Sequence, residues 1–96
     1  MMSKFPMGQV VMTRGIADRC DNDSLFSFFV TKALQMHSEG NWGDLDDSDW
    51  ESNQEALTSG DRLFSSYYLD EQHSEKIWII TEADRSYTTV LLPSEY

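Results

Sequence analysis

One cysteine in 96 residues, Cys20, leaves nothing with which to close an internal disulfide, so the chain must be held together by packing and hydrogen bonds, and a reducing compartment suits it. Two prolines and five scattered glycines exclude a linker-like or collagen-like chain, and none of the glycines forms a phosphate-binding loop. No apolar run approaches the roughly 20 residues that a membrane helix needs. The N-terminus Met1-Met2-Ser3-Lys4-Phe5-Pro6 is not continued by an apolar stretch either, so no secretory signal and no membrane contact is expected, and the reading is cytoplasmic. Positive charge is scarce: seven Lys plus Arg stand against 17 Asp plus Glu, for a net charge of −10. That balance argues against direct nucleic acid binding and for a basic partner or plain solubility.

What is present is enough for a folded unit. The apolar fraction is 40% and the aromatic fraction 12%, which sets the chain apart from a disordered acidic tail. Its length predicts a single domain over 1–96 with one hydrophobic core, and a flexible N-terminal segment over 1–7. A strand is expected over 9–14, between Gly8 and Gly15, because β-branched residues occupy its centre. Asp21-Asn22-Asp23-Ser24 then offers N-cap oxygens for a helix from Ser24 to Ser38. Leu25, Phe28, Phe29, Lys32, Ala33 and Met36 form its expected buried stripe, widened by Phe26, Val30 and Leu34, and Gly40 stops it. Trp42 is expected to anchor the following loop on the core while Gly43 takes a backbone conformation closed to larger residues.

A second helix is expected to start near Asp47, with Ser48 and Glu51 as a capping box. The spacing Trp50, Asn53, Leu57, Gly60, Phe64, Tyr67 favours a continuous helix to Tyr67 with Gly60 on its inner face. The competing reading breaks it at Gly60 and restarts at Asp61, and an interior glycine costs only about 1 kcal/mol. The segment from Lys76 to Leu92 then reads as a hairpin around a four-residue turn, Ala83-Asp84-Arg85-Ser86. Ile77 and Ile79 point to one side of it, Trp78 and Ile80 to the other, and Val90-Leu91-Leu92 is equally apolar. A half-buried strand alternates; this one does not, so a second cover is expected, for which another copy of the chain is one candidate. The resulting fold class is α+β: a small β-α-α-β-β domain, its three-stranded, mostly antiparallel sheet carrying a helical pair on one face.

Three constellations bear on function. Asp44, Asp46, Asp47, Asp49, Glu51 and Glu55 form the densest charge cluster. They lack the central glycine and distal glutamate of a calcium loop and an apolar pocket that would set up a catalytic carboxylate pair. A solvated helix start explains them, and carboxylates spaced along a helix can also imitate DNA phosphates in a basic groove. Glu82, Asp84 and Arg85 crowd the hairpin tip, either as local ion pairs or as a recognition tip. Trp78 and Ile80 complete the candidate protein-binding surface. His37, near a helix C-terminus where an imidazolium suits the dipole, and His73, in a polar connection, show no catalytic or zinc-ligand spacing with Cys20. No catalytic residue, metal or cofactor is expected. Arg14 and Arg19 are available to pair with the acidic cluster.

Met12-Thr13-Arg14-Gly15, Gly40-Asn41-Trp42-Gly43-Asp44-Leu45, Asn53 with Ala56-Leu57 and Gly60, Arg62-Leu63, and above all Ile77 through Ser86 with Pro93-Ser94-Glu95-Tyr96, resemble a family of small bacterial "plasmid-related" proteins. The likeness spans nearly the whole chain, and its closing motif is the most specific part. It implies a bacterial or mobile-element setting and supplies no catalytic residues. Some members carry a label linking them to a type I restriction-modification methylase subunit; the glycine-rich cofactor loop and Asn-Pro-Pro-Tyr-type motif of a methyltransferase are both missing here. The expected function is therefore non-enzymatic binding of another protein, as an accessory or anti-defence factor. A DNA-mimic inhibitor and a small metal-dependent hydrolase, both using the acidic cluster, are the alternatives.

Overall fold

The computed structural model describes residues 3–96. In chain order its elements are β1 (Gln9–Met12), α1 (Arg14–Asn22), α2 (Ser24–Ser38), α3 (Asp47–Ser59), β2 (Leu63–Tyr68), β3 (Lys76–Thr81) and β4 (Tyr87–Leu91), closed by a 3₁₀ turn over Pro93–Glu95. The α+β class therefore holds, with one strand and one helix more than the sequence predicts. The sheet has four strands in the order β1-β4-β3-β2. β1 runs parallel to β4, and the other pairs are antiparallel.

α2 has the expected limits. Asp23 caps it, accepting from the N–H groups of Leu25 and Phe26 at 3.1 Å each, and Gly40 follows its end with φ of 81°. Its buried face is Phe26, Val30, Ala33 and His37, so the expected stripe is displaced: Leu25 and Phe28 lie 80% and 67% exposed. Between residues 25 and 34 apolar side chains occupy so many positions that periodicity alone does not choose a face.

Three differences have clear physical causes. α1 is the helix that the sequence does not predict. Thr13, its N-cap, makes no side-chain cap bond to the helix; the Glu95 carboxylate fills that place, accepting from Gly15 N at 2.8 Å and Thr13 Oγ1 at 2.5 Å from about 80 residues away. The second predicted helix does not continue through Gly60. That residue caps α3 with φ of 84°, and the rest of the segment becomes β2, whose buried Ser65 and Ser66 obscure a strand's apolar alternation. Asp46, rather than the Ser48–Glu51 box, caps α3, its side chain accepting from Asp49 N at 2.9 Å.

α1 and α2 cover one face of the sheet. Ile16, Phe26, Val30 and Ala33 pack there on Tyr67, Ile77, Ile79 and Val90. α3 lies along the β2 edge, where Asn53 acts as a substitute strand: its Nδ2 donates to Phe64 O at 2.5 Å and its Oδ1 accepts from Phe64 N at 3.1 Å. The loop before α3 continues this closure. Ser66 N donates to Trp42 O at 3.2 Å, Asp44 N donates to Ser66 O at 2.6 Å, and Asp44 Oδ2 accepts from Tyr68 N at 2.9 Å. Trp42 is fully buried with Phe5, Ala56 and Leu63, as its anchoring role requires.

Within the segment read as flexible, residues 1 and 2 lie outside the described residues. Phe5 is buried and Lys4 N donates to Ser38 O at 2.8 Å, so Lys4 through Met7 belong to the packed structure. No helix among the described residues is long and apolar enough to cross a membrane.

Two glycines at positive φ separate strain from collision. At Gly43 (φ 79°) a Cβ would sit 2.1 Å from Ser66 O, whereas at Gly60 (φ 84°) it would meet nothing within 4 Å. Gly60→Ala is therefore expected to cost only the left-handed backbone penalty, about 1–2 kcal/mol. Gly43→Ala should cost clearly more because the β2 edge must open, and urea unfolding of the two variants measures the difference.

Candidate binding groove

The acidic cluster is divided by the geometry. Asp44 and Asp46 are occupied with the backbone of β2 and of α3, as described above. Asp49 faces the sheet and lines an open groove, whereas Glu51 and Glu55 line a shallow hollow with Gln54, Thr58 and Ser59. Asp47 lies exposed in the first turn of α3. Arg19 does not join this cluster: it pairs with Glu75 at 2.6 Å. Among the described residues no group of three or more His, Cys, Asp or Glu is disposed to hold a metal ion.

The groove, about 460 Å³, lies on the sheet face opposite α1 and α2, between α3 and the C-terminal turn. Phe64, Trp78 and Ile80 supply its apolar surface; Leu45, Asp49, Ser52 and Asn53 line it from the α3 side, Arg62 and Tyr96 from elsewhere. The rings are ordered edge to face, Trp78 at 5.2 Å from Phe64 and 5.8 Å from Tyr96, a geometry that aromatic quadrupoles favour. Arg62 fixes Tyr96 by donating to its hydroxyl at 2.9 Å. Lys76 sits 5.8 Å over Trp78 and 5.6 Å over Tyr68, while His73 stacks on Tyr68 at 4.0 Å.

The second cover expected for the hairpin is thus largely internal. Ile80 is 5% and Leu91 4% exposed without any other chain, Leu92 is half-buried against the core, and the half-buried Trp78 opens into the groove. Three predicted residues, Asp49, Trp78 and Ile80, come together there. Arg62, Phe64 and Tyr96 were not among them; Phe64 was assigned to a helix, and Tyr96 arrives only through the tertiary placement of the closing turn.

At the hairpin tip Asp84 is exposed and Glu82 half-buried, whereas Arg85 does not project. Arg85 adopts φ of 61° and turns inward: its guanidinium donates to Ala56 O at 3.0 Å and Asp61 O at 2.7 Å, and also to Glu82 O at 3.2 Å. It makes no ion pair with Glu82 or Asp84. A cation at the carbonyl end of α3 suits the helix dipole, so this arginine fastens the hairpin to α3. Asp84 accepts from the N–H and Oγ of Ser86, which hold its carboxyl below the usual range.

His37 has a structural role. It is fully buried, with Nδ1 2.5 Å from Ser65 Oγ and Nε2 2.9 Å from Thr81 Oγ1. Thr81 continues through Thr88, 2.7 Å away, to the backbone oxygen of Met7. Burial, reinforced by the Arg85 charge, pushes the imidazole down to about 3, so it is neutral at pH 7 although a cation would suit the helix dipole there. Burial likewise raises the Tyr67 phenol, which donates to Asn41 O at 2.6 Å.

Compared with known proteins, the chain matches no family model, no curated protein and no solved structure.

The buried histidine makes stability pH-dependent. The unfolded chain takes up a proton near the ordinary value of 6.5, the folded chain only near 3, so the neutral imidazole's advantage is complete above pH 6.5 and is lost as pH falls toward 3. As pH falls from 6.5 to 5, above the ordinary carboxylate range, the loss of stability is expected to steepen toward about 1.4 kcal/mol per pH unit. Denaturant titrations at several pH values should show this slope, and His37→Gln, though less stable, should lose it.

Proposed function

We propose that this protein is a non-enzymatic binding module whose groove around Trp78 receives a segment of another protein. The observation that carries the reading is the convergence of a half-buried tryptophan, two further aromatic rings and a carboxylate, Asp49, on one open groove of about 460 Å³. Aromatic anchors in partly desolvated clefts dominate many protein interfaces. The groove is preassembled from the sheet and a helix, so little ordering cost falls on its own side. Its ligand is a segment with one aromatic or branched aliphatic side chain to lie against Trp78 and a Lys or Arg to meet Asp49. The net charge of −10 steers such a basic segment from a distance.

The DNA-mimic alternative draws less support, because Asp44 and Asp46 are committed to the backbone and the remaining carboxylates divide between two hollows. The metal-dependent hydrolase reading draws less still, since among the described residues the acidic cluster brings no three carboxylates together in a way that could hold a metal ion.

Selection from a random peptide display library against the full chain tests the proposal. Enriched peptides are expected to pair an aromatic or branched aliphatic residue with Lys or Arg and to bind more weakly as salt rises. Trp78→Ala should weaken binding by about tenfold or more, and Asp49→Asn should reduce the salt dependence. Equal binding of the same peptides by Trp78→Ala would place recognition elsewhere.

A further inference from the structure

The two edges of the sheet are treated differently. The outer edge of β2 is closed by Asn53, Trp42 and Asp44. That of β1 is bare. Gln9 N donates to Ser86 O at 3.1 Å and Thr13 N to Val90 O at 3.0 Å, and the parallel register of β1 on β4 turns alternate residues inward. The N–H and C=O groups of Val10 and Met12 therefore point away from the sheet, and no bond to them is found among the described residues. Edges exposed in this way are normally blunted by Lys, Pro or a bulge. Gln9-Val10-Val11-Met12 has none of these.

Apolar surface collects at the same edge. Val10 and Met12 are each 42% exposed, and Tyr87, opposite Gln9 in the register, is 43% exposed. The charge pattern is equally selective: Gln9-Val10-Val11-Met12 carries no charged side chain, and the Glu95 carboxylate beside its end is bonded to Thr13 Oγ1 and Gly15 N. A chain of net charge −10 repels its own copies wherever carboxylates meet, and this strand sets no charged side chain of its own against a second copy. A basic peptide, by contrast, finds no counter-charge on this strand.

We infer that β1 pairs with β1 of a second copy of this chain, antiparallel about a two-fold axis through Val11, joining two sheets into one. Val10 then lies opposite the partner's Met12 and Met12 opposite the partner's Val10, with about four backbone hydrogen bonds in all. The two Val11 residues face each other in the non-bonded pair at the axis. The short strand limits the ladder to those bonds, so the dimer is concentration-dependent.

Sedimentation equilibrium of the full chain over a concentration series tests this. The expected mass rises from 11.1 kDa toward twice that value, and the dimer strengthens at high salt as repulsion is screened. Val10→Pro removes only an outward N–H and Met12→Lys adds a charge at the edge; each should raise the dimer dissociation constant by about tenfold or more. Circular dichroism checks folding, and if Val10→Pro fails to fold, Met12→Lys decides alone. Val11→Cys in a Cys20→Ser background should form an intermolecular disulfide on oxidation, because directly opposed residues at a non-bonded pair lie within disulfide reach. A single-chain mass up to millimolar concentration, a dimer indifferent to the folded edge variants, or a dimer whose Val11→Cys form does not cross-link would each overturn the inference.

Discussion

A neutral imidazole enclosed by protein must have both ring nitrogens satisfied, and the arrangement around His37 follows from that requirement. Ser65 of β2 meets one nitrogen and Thr81 of β3 the other, and the Thr81–Thr88 pair passes the connection to β4 and then to Met7. One side chain near the end of α2 thus ties that helix, three strands and the N-terminal segment into one register. Leaving any of these groups unpaired would carry the full desolvation penalty, about 1–3 kcal/mol. A one-residue slip of β2 would replace Ser65 by a side chain of the opposite face. The network therefore specifies pairing as much as it adds stability, which apolar residues alone would leave less defined.

The groove is downstream of this register. With β2 held against β3, Phe64 and Trp78 stand on the same sheet face and their rings meet. Asn53 then fixes α3 beside them by bonding to the backbone of Phe64 itself, so one residue sets both a wall and part of the floor. Arg85 holds the other end of α3 by donating to Ala56 O in its last turn and to Asp61 O just beyond it. Of the charged residues that looked functional, Asp44, Asp46 and Arg85 are thereby consumed in positioning the site, and Asp49 is left facing it.

How much of this the chain disclosed depended on whether a signal was local. Helix α2 could be read because its cap, Asp23, is adjacent to it, and Gly43 because a tight approach demands a residue without Cβ. The β3–β4 hairpin was legible from its apolar runs and four-residue turn. Helix α1 was not, because Glu95 satisfies its first turn across nearly the whole chain. β2 was hidden for a related reason: Ser65 and Ser66 are buried polar residues whose partners, His37 and the Trp42–Asp44 loop, come from distant segments. The groove was half visible. Trp78 and Ile80 stood out as surplus apolar surface, but Arg62 and Tyr96 join them only once the 3₁₀ turn has folded back.

The strand order places the two proposed surfaces at opposite ends of the sheet. In β1-β4-β3-β2 the groove is built on β3 and β2, and the bare edge is β1, so pairing through β1 leaves the groove unobstructed. Two chains joined in that way would carry two grooves related by the two-fold axis, one toward each end of the continuous sheet. A partner displaying two suitable segments would then engage the second groove at an elevated effective concentration, and modest affinity at each groove would become firm attachment. The same pairing keeps charged side chains out of the shared ladder, since Gln9–Met12 has none, and leaves Asp49 open in the groove, where a basic partner can meet it. Charge that opposes self-association and charge that attracts a partner are in this way the same residues, and the uncharged first strand allows both effects to operate in one small chain.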